Sequence, residues 1–320
     1  MHPAKSVIYF TVATGAGYGL FFWLALLAFL GILPADKIMG FVMLAVSFGL
    51  IVTGLISSTG HLGRPERAWR ALSQWRSSWL SREGVMAILT FIPMGIFGVY
   101  WVFLGQNTGL SGVIGLIGAG MAMITVFTTS MIYASLKAIP AWHNIWTKVG
   151  YLVLSLMSGV VLAMAIVSFY GLIEAALYLW LPLGVLLVLG LGVKTLYWRH
   201  IHSEKIVSTA ESATGLGRFG KVTQAASPHS ADNYLLKEMG FKIARKHAAK
   251  LRWIAIILGF VLPFFLIGLV AHYMDIRELG TKTIVGIAAL SCLLGLVFER
   301  WLFFAEAKHV VTLYYGETKV

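Results

Sequence analysis

Scarce cysteine and scarce acidic residues set the first limits on this chain. Its 320 residues include one cysteine and 13 Asp and Glu. The lone thiol, Cys292, cannot form an intrachain disulfide, and the sequence has no cysteine cluster for zinc or for an iron–sulfur cluster. If the chain takes part in electron transfer, we therefore expect the metal centres to lie in partner subunits.

Charge of either sign is also rare, which excludes an ordinary soluble protein. Charged residues make up 12% of the chain, against 58% hydrophobic residues, and a soluble domain has about twice that charged fraction. A helix needs about 20 apolar residues to cross the hydrocarbon layer. Seven runs lack Asp, Glu, Lys and Arg, and the third is long enough for two crossings: 6–35, 38–63, 84–136, 149–173, 175–193, 253–274 and 283–298. The sequence predicts an all-α membrane protein, a bundle of eight transmembrane helices.

The distribution of basic residues predicts how this bundle lies in the membrane. The helices are expected near 8–31, 38–59, 84–104, 112–135, 149–169, 172–196, 253–273 and 282–303. In this topology only Lys37, Arg277 and Lys282 fall on the side opposite the termini. Because cytoplasmic loops are enriched in Lys and Arg, both termini are predicted to be cytoplasmic.

The same topology divides the sequence into three parts. Residues 1–197 contain helices one to six with an interfacial loop at 60–83, 198–252 form a basic cytoplasmic loop, and 253–320 contain helices seven and eight with a short cytoplasmic tail. Within the basic loop, 208–232 is rich in small and polar residues and is expected to be extended and flexible. Residues 233–252, which include Arg245 and Lys246, have helical spacing. They suit either anionic lipid or a docking cytoplasmic subunit.

The 60–83 loop is the strongest candidate for chemistry. His61 and Glu83 bracket it, each at the membrane end of a predicted helix, and Pro65 suits the first turn of a short helix on which Arg67 and Arg70 face water or headgroups. A quinone headgroup needs a hydrogen-bond donor at a carbonyl, and its two-electron reduction needs two protons. Interfacial histidines are nonetheless common, and Glu83 can equally complement the helix dipole or pair with a neighbouring arginine.

The positions of the histidines and of the ionisable residues disfavour other classes of membrane protein. All nine histidines lie at or beyond predicted helix ends, which disfavours a b-type haem, because that cofactor needs axial ligands from within facing helices. No ionisable residue occupies the middle third of a predicted helix, which disfavours a proton pump or an ion-coupled transporter. Glu299 and Arg300, near the end of the last helix, are expected to pair with each other or with the region of Arg64 and Glu66.

Four segments resemble the membrane anchor subunits of the dimethyl sulfoxide reductase family, the DmsC family within the wider NrfD-like group. They are His61-Leu-Gly-Arg-Pro-Glu-Arg-Ala-Trp with Ser81-Arg-Glu83, Tyr133 to Trp146, Asn233-Tyr-Leu-Leu-Lys-Glu-Met-Gly-Phe, and Glu299-Arg-Trp-Leu-Phe-Phe-Ala-Glu. They extend over nearly the whole sequence. The resemblance implies eight helices and no haem or iron–sulfur cluster in this chain.

The resemblance also implies partners, a substrate and site residues. The partners would be a ferredoxin-like iron–sulfur subunit and a molybdopterin catalytic subunit, in a bacterial cytoplasmic (inner) membrane. A quinone, menaquinone or ubiquinone, would react near the membrane surface. By motif His61 and Glu83 match the family's quinone site, and Arg64 and Tyr133 are weaker candidates. No nucleic-acid partner is implied.

Three functions remain open on the sequence. The basic, cytoplasmic docking side favours an anchor of a sulfite dehydrogenase that passes electrons to quinone, with Arg67, Arg70, Arg245 and Lys246 as docking residues. The second is a quinol-oxidising anchor that feeds a reductase for dimethyl sulfoxide or another oxyanion. A transporter or a membrane scaffold is the alternative of another class.

Overall fold

The computed structural model describes residues 5–60, 64–203, 208–226, 245–273, 275 and 278–315. This part of the protein is helical, and eight of its helices are long and apolar enough to cross a membrane. The predicted class, an all-α protein with eight candidate membrane spans, is confirmed there.

The spans have the following bounds. The first six are α1 Lys5–Phe29, α2 Lys37–Thr59, α3 Trp79–Val102, α4 Leu110–Ala134, α5 Ile145–Tyr170 and α6 Ile173–Ser203. A short helix, α7 Ala210–Thr214, follows. The seventh span consists of α8 Ala248–Ile256, a π-helical turn at Ile257–Val261 and α9 Leu262–Tyr273, and the eighth is α10 Leu279–Ala305. Short 3₁₀ helices lie at Pro65–Gln74, Gly217–Phe219 and Val310–Tyr315.

Helix α1 is the central helix and packs against α2, α4 and α5. Its contact with α5 is close because glycines face each other there. A Cβ on Gly159 would overlap the backbone of Gly19, and one on Gly19 would overlap the backbone of Ser155. Ser155 Oγ donates to the Gly15 carbonyl at 2.7 Å. Small residues therefore bring the two backbones into contact, as in many membrane helix pairs.

The seventh and eighth spans meet in a second close crossing. A Cβ on Gly295 would overlap the backbone of Gly259, which lies in the π-helical turn. Ser291 Oγ donates to the Leu258 carbonyl at 2.8 Å. Pro263 follows the turn and lacks an N–H, so the helix widens where regular hydrogen bonding is interrupted.

One end of the bundle collects the beginnings of α1, α3, α5 and α8 and the ends of α2, α4, α6 and α10; we call it the site end. Ser57 Oγ donates to the Ser6 carbonyl there at 3.1 Å, and Trp142 Nε1 donates to the Phe303 carbonyl at 2.9 Å. At the other end Asn107 Nδ2 donates to the Leu33 carbonyl at 3.0 Å. These contacts connect neighbouring spans at both ends of the bundle.

Two boundaries differ from the prediction in a way that matters for the site. Helix α3 begins at Trp79, capped by the Ser78 hydroxyl, and not near residue 84. The sequence prediction stopped at Arg82 and Glu83 because it excluded charged residues, although a charged group facing a neighbouring helix can be accommodated. Helix α6 likewise continues to Ser203, past the predicted end at 196.

Part of the basic loop forms short helices, so the expectation of an extended 208–232 segment is wrong at Ala210–Thr214 and Gly217–Phe219, while its flexibility stays a prediction. Thr209 caps α7 in a reciprocal arrangement with Ser212. Tyr314 Oη donates to the Ala213 carbonyl at 3.2 Å, so the C-terminal 3₁₀ helix packs on this turn. A local capping motif and contacts with the tail stabilise a segment whose composition indicates flexibility. Residues 227–244 lie outside the described residues.

Candidate functional site

Glu83 is a buried carboxyl one turn inside α3. Its residue is 6% exposed, and at 1.5 Å per residue it lies about 6 Å along the axis from the start of the helix. The side chain faces α4, where Thr129 Oγ1 lies 3.0 Å from Glu83 Oε1. The same hydroxyl lies 3.0 Å from the Thr125 carbonyl. Since the hydroxyl has one proton, it donates to one of these oxygens at a time and can accept from a protonated Glu83.

The surroundings of Glu83 lack an arginine partner among the described residues. Arg82, the neighbour expected as an alternative partner, donates instead to the carbonyls of Trp75 at 3.0 Å and Arg76 at 2.7 Å. Its guanidinium lies 4.2 Å from the ring centre of Trp79. Tyr18 on α1 is buried, interacts electrostatically with Glu83, and its hydroxyl has no hydrogen-bond partner among the described residues. The site around Glu83 is therefore apolar with a few hydroxyls.

The 3₁₀ helix at Pro65–Gln74, here the rim helix, packs on the start of α3. Ser81 Oγ donates to the Ala71 carbonyl, and Leu72 approaches Gly84. Trp69 on this helix is 68% exposed, and the Arg70 guanidinium lies 5.5 Å from its ring centre. The predicted short helix after Pro65 is thus present, with 3₁₀ geometry, and it lies over the helix turn that carries Glu83.

Of the other candidate residues in the loop, the arginines are exposed and His61 is not described. Arg64 is exposed at the start of the rim helix, and Arg67 and Arg70 are also exposed. Arg67 Nε lies 3.9 Å from Glu66 Oε1, a weak surface pair. His61 lies outside the described residues, so its position relative to Glu83 stays a prediction.

Tyr133 lies in an aromatic cluster formed by α4, α5 and α10 and interacts electrostatically with Glu83. Its ring stacks on Tyr151 at a centroid distance of 5.9 Å and makes edge contacts with Trp142 at 5.3 Å and Phe303 at 5.5 Å. His143, the neighbour noted in the sequence, has its Nδ1 2.6 Å from the Ala134 carbonyl. The structure therefore associates Tyr133 with α5 and α10, and its contact with quinone stays a prediction.

A buried ionic cluster lies in the same end of the bundle. Glu299 and Arg300 on α10 and Lys194 on α6 are 0%, 5% and 2% exposed. Arg300 Nη2 donates to Glu299 Oε1 at 2.8 Å, and Arg300 Nε and Lys194 Nζ also contact this carboxylate. The expected pairing of Glu299 with Arg300 is confirmed. The alternative prediction, that they pair with the region of Arg64 and Glu66, is wrong. Lys194 is an additional partner of Glu299.

Sequence reasoning did not identify Lys194. The signal for it was present: Lys194 is the first charged residue after a run of apolar residues that begins at 175. It was assigned to the end of a helix, where basic residues face headgroups. Because α6 extends to Ser203, Lys194 lies about 14 Å from the end of the helix.

A cavity of about 30 Å³ lies close to both Glu83 and the ionic cluster. It lies between α1, α4, α5 and α10, and Thr129 and Arg300 both line it, together with Tyr151. Further hydroxyls on its wall belong to Thr11, Thr14, Ser155 and Ser158. Its wall is mostly apolar, but the space has room for a water molecule and these hydroxyls could bind one. The cavity is thus bordered by the hydrogen-bond partner of Glu83 and by a member of the ionic cluster.

The predicted docking residues differ in accessibility. Arg245 Nε and Nη2 donate to the carbonyls of Ala305 and Ala307, both at 2.9 Å, so its guanidinium closes the C-terminal end of α10. Lys246 is exposed. Among the described residues no three His, Cys, Asp or Glu side chains are grouped closely enough to hold a metal ion. Docking by these basic residues stays a prediction.

Just outside the spans, His309 packs under Trp142. The ring centroids are 5.2 Å apart and nearly perpendicular, and His309 is buried. Burial, together with the nearby positive charge of Arg245, lowers the pKa of His309 to about 4. His309 therefore stays neutral at physiological pH and packs the tail against Trp142.

Comparison with known proteins agrees with the resemblance seen in the sequence. The model of the family described as DMSO reductase anchor subunit (DmsC) matches residues 1–316. The protein is 33% identical to the C subunit of sulfite dehydrogenase from Allochromatium vinosum, over 98% of its own length and 99% of that relative. It is 29% identical to the C subunit of anaerobic dimethyl sulfoxide reductase from Escherichia coli strain K12, over 47% of its own length and 54% of that relative. No solved structure matches it. The chain belongs to the DMSO reductase anchor subunit family.

Proposed function

We propose that this protein is the quinone-reactive anchor of a three-subunit molybdopterin and iron–sulfur oxidoreductase that passes electrons from sulfite to the quinone pool. The observation that carries the proposal is Glu83, a buried carboxyl at the site end beside an exposed aromatic and basic rim helix. The similarity to the C subunit of a sulfite dehydrogenase over almost the full length of both proteins favours sulfite as the electron source.

The proposed quinone position follows from the aromatic and basic surface around Glu83. The cavity beside Thr129, about 30 Å³, is small, and the exposed aromatic rings lie instead at the rim helix. We place the headgroup at the site end, at the edge where the rim helix meets the first turn of α3, because Trp69, Trp75 and Trp79 offer ring faces there. His61 would donate to one quinone carbonyl, with Arg64 nearby. Tyr133, which stacks on Tyr151, would be a second aromatic group near Glu83.

Glu83 would supply protons to the reduced quinone. Two-electron reduction of a quinone consumes two protons, and a carboxyl at hydrogen-bonding distance can deliver them in turn. Its burial limits exchange with bulk water, so delivery depends on defined neighbours. The electrons would come from an iron–sulfur cluster of the partner subunit, docked over the rim helix.

The site end would face the cytoplasm and bind the partner subunit. The excess of Lys and Arg at the site end favours a cytoplasmic location for that end, in a bacterial inner membrane. A ferredoxin-like subunit would dock there on Arg67 and Arg70, with Lys246 and the Arg245 region at the edge, and would connect to the molybdopterin subunit. Exposed basic side chains would steer an acidic partner surface and would also contact anionic lipid.

The test uses membranes that contain the whole complex, with a quinone analogue as electron acceptor. Sulfite-dependent quinone reduction should require this protein. Glu83→Gln should lower the rate while the partner subunits remain bound to the membrane, and Glu174→Gln, an exposed carboxyl at the opposite end of α6, is the matched control. Sulfite oxidation by quinone that continues without the anchor would overturn the proposal.

A second function is favoured by the similarity to the C subunit of anaerobic dimethyl sulfoxide reductase. The same site would then oxidise quinol and release its protons, and the electrons would flow to a reductase. Quinol-dependent reduction of dimethyl sulfoxide by the same membranes, with no sulfite-dependent activity, would select this direction.

A further inference from the structure

We propose that the cavity between α1, α4, α5 and α10 holds water that connects Glu83, through Thr129, to the buried cluster of Lys194, Glu299 and Arg300, and that Lys194 returns protons to Glu83 during turnover. This inference rests on the proposed reaction of quinone near Glu83. It assigns a task to a cluster that is too far inside the bundle to touch the rim helix.

The first link is the hydroxyl of Thr129. It lies within hydrogen-bond distance of the Glu83 carboxyl and of the Thr125 carbonyl, 3.0 Å in both cases. It also lines the cavity. A hydroxyl that changes its donor direction passes a proton from one side to the other without moving its oxygen. Thr129 therefore joins the cavity to Glu83.

The second link is the set of hydroxyl groups on the cavity wall. Thr14 Oγ1 donates to the Phe10 carbonyl at 2.7 Å, and Ser158 Oγ donates to the Leu154 carbonyl at 2.8 Å. Since each proton is used within its own helix, the hydroxyl oxygens remain as acceptors. A water in the cavity would donate to these oxygens and accept from Arg300 or Tyr151, which also line it.

The third link is the composition of the ionic cluster. Glu299 and Arg300 would by themselves form a neutral pair, and Lys194 adds a second cation. Arg300 cannot give up a proton, whereas a buried ammonium can. Loss of a proton from Lys194 leaves a neutral cluster, so this step removes the uncompensated charge from the interior of the bundle.

Electrons and protons balance over one turnover. Quinone takes two electrons from the partner's iron–sulfur cluster and two protons by way of Glu83, and becomes quinol. After each donation the Glu83 carboxylate takes a proton through Thr129 from the cavity water. The Lys194 ammonium gives its proton to the Glu299 carboxylate that it contacts, which passes it on to the cavity water, and Lys194 is left as an amine. A proton from the aqueous side then restores the ammonium.

The route to the aqueous side lies along the end of α6. His202 is exposed eight residues after Lys194, about 12 Å along the axis. Its Nε2 lies 3.0 Å from Arg252 Nη1, and Arg252 Nε donates to Glu306 at 3.0 Å. Glu306 interacts electrostatically with Lys194. Titratable groups thus continue from the cluster to the surface.

The experiment distinguishes a role of Lys194 in proton transfer from a role of its positive charge. In the assembled complex, Lys194→Met leaves the neutral Glu299–Arg300 pair, and Lys194→Arg keeps the positive charge without a transferable proton. Both should lower kcat for quinone reduction by about tenfold or more, with KM for the quinone unchanged and the partner subunits still bound. Thr129→Val should act in the same direction. Thr128→Val is the matched control, because Thr128 is equally buried, bonds to the Thr125 carbonyl and does not line the cavity.

The four variants distinguish the possible roles of the cluster. Wild-type kcat in Lys194→Arg with a low kcat in Lys194→Met would show an electrostatic role and would overturn proton transfer. Wild-type kcat in both variants would overturn any role of the cluster. If the two Lys194 variants do not assemble, the comparison of Thr129→Val with Thr128→Val tests the inference. Equal kcat values in these two variants would overturn it. Failure of the wild-type complex to react with quinone at all would instead overturn the proposed function.

Discussion

The Thr129 hydroxyl on α4 and the Glu83 carboxyl on α3 are hydrogen-bonded at 3.0 Å inside the bundle. This contact holds Glu83 against a helix wall, whereas Glu66, the other acidic residue of the 60–83 segment, lies on the surface. Thr129 also lines the cavity that Arg300 borders, so the proposed proton path to Glu83 begins at this contact.

Replacement of Glu83 by glutamine should abolish most proton delivery without disrupting packing. The amide has the same shape and can accept from Thr129, so the complex should assemble. We expect a loss of about a hundredfold in quinone turnover, the range of a positioned acid or base. Turnover assays on membranes with quantified subunits check this, and unchanged turnover would exclude Glu83 as the proton donor.

Removal of the Glu299 carboxylate should destabilise the protein more than removal of Lys194. Glu299→Gln leaves two buried cations without their partner, and a broken buried ion pair costs about 3–5 kcal/mol. Adding Lys194→Met to Glu299→Gln should recover part of this loss, because one unpaired cation is removed. Melting temperatures of the single and double variants in detergent measure the coupling. Additive losses would contradict the ionic contact.

The contact of α1 with α5 should not tolerate a side chain at its glycines. Gly159→Ala places a methyl group into the backbone of Gly19 and should destabilise the protein by about 1–3 kcal/mol, as overpacking does. Gly120→Ala is the control, since nothing lies within 4 Å of a Cβ at that position. Thermal unfolding in detergent measures the stability of both variants. Equal stabilities of the two variants would disprove the close approach of α1 and α5.

Lowering the pH should destabilise the packing of the C-terminal tail, because His309 becomes protonated. Its pKa is lowered from 6.5 to about 4 by burial and by the positive charge of Arg245, so between these values the unfolded state binds more protons than the folded state. The stability that the neutral ring contributes is present above pH 6.5 and is lost as the pH falls towards 4. Melting temperatures from about pH 7.5 to about pH 4 should fall less steeply in His309→Gln, which cannot titrate. Parallel curves for the two proteins would refute this assignment.

Charge reversal on the rim helix should weaken docking of the iron–sulfur subunit. Arg70→Glu should reduce the fraction of partner retained on membranes at low salt, with a smaller difference at high salt, because exposed charges are screened. Lys282→Glu, at the opposite end of the bundle, is the control. Equal retention in both variants would exclude Arg70 from the docking surface.

The number of spans could be predicted because hydropathy is a local property. Each charge-free run of about 20 residues has to bury its backbone polar groups in a helix, whatever its neighbours are. Helix ends were less accurate, because the charges of Arg82, Glu83 and Lys194 were taken to mark headgroups. Arg82 caps its own loop, whereas Glu83 and Lys194 point between helices.

The candidate site was predicted in part. Motif similarity led to Glu83 and to the family, since both depend on residues that are close in sequence. The partner of Glu83 is 46 residues away on another helix, and Lys194 is 105 residues from Glu299. Contacts of this kind depend on how the spans pack, and no local pattern in a single sequence encodes them.

Apolar length and short motifs are local along the polypeptide, so sequence patterns were enough to predict the class of the protein, the eight candidate spans of its described part and its family. The packing of the helices establishes which polar groups meet. It placed Thr129 beside Glu83 and Lys194 beside Glu299, since glycine contacts such as Gly19 with Gly159 set the distance between helices. In a membrane the cost of an unpaired polar group is high, so this packing selects the partners.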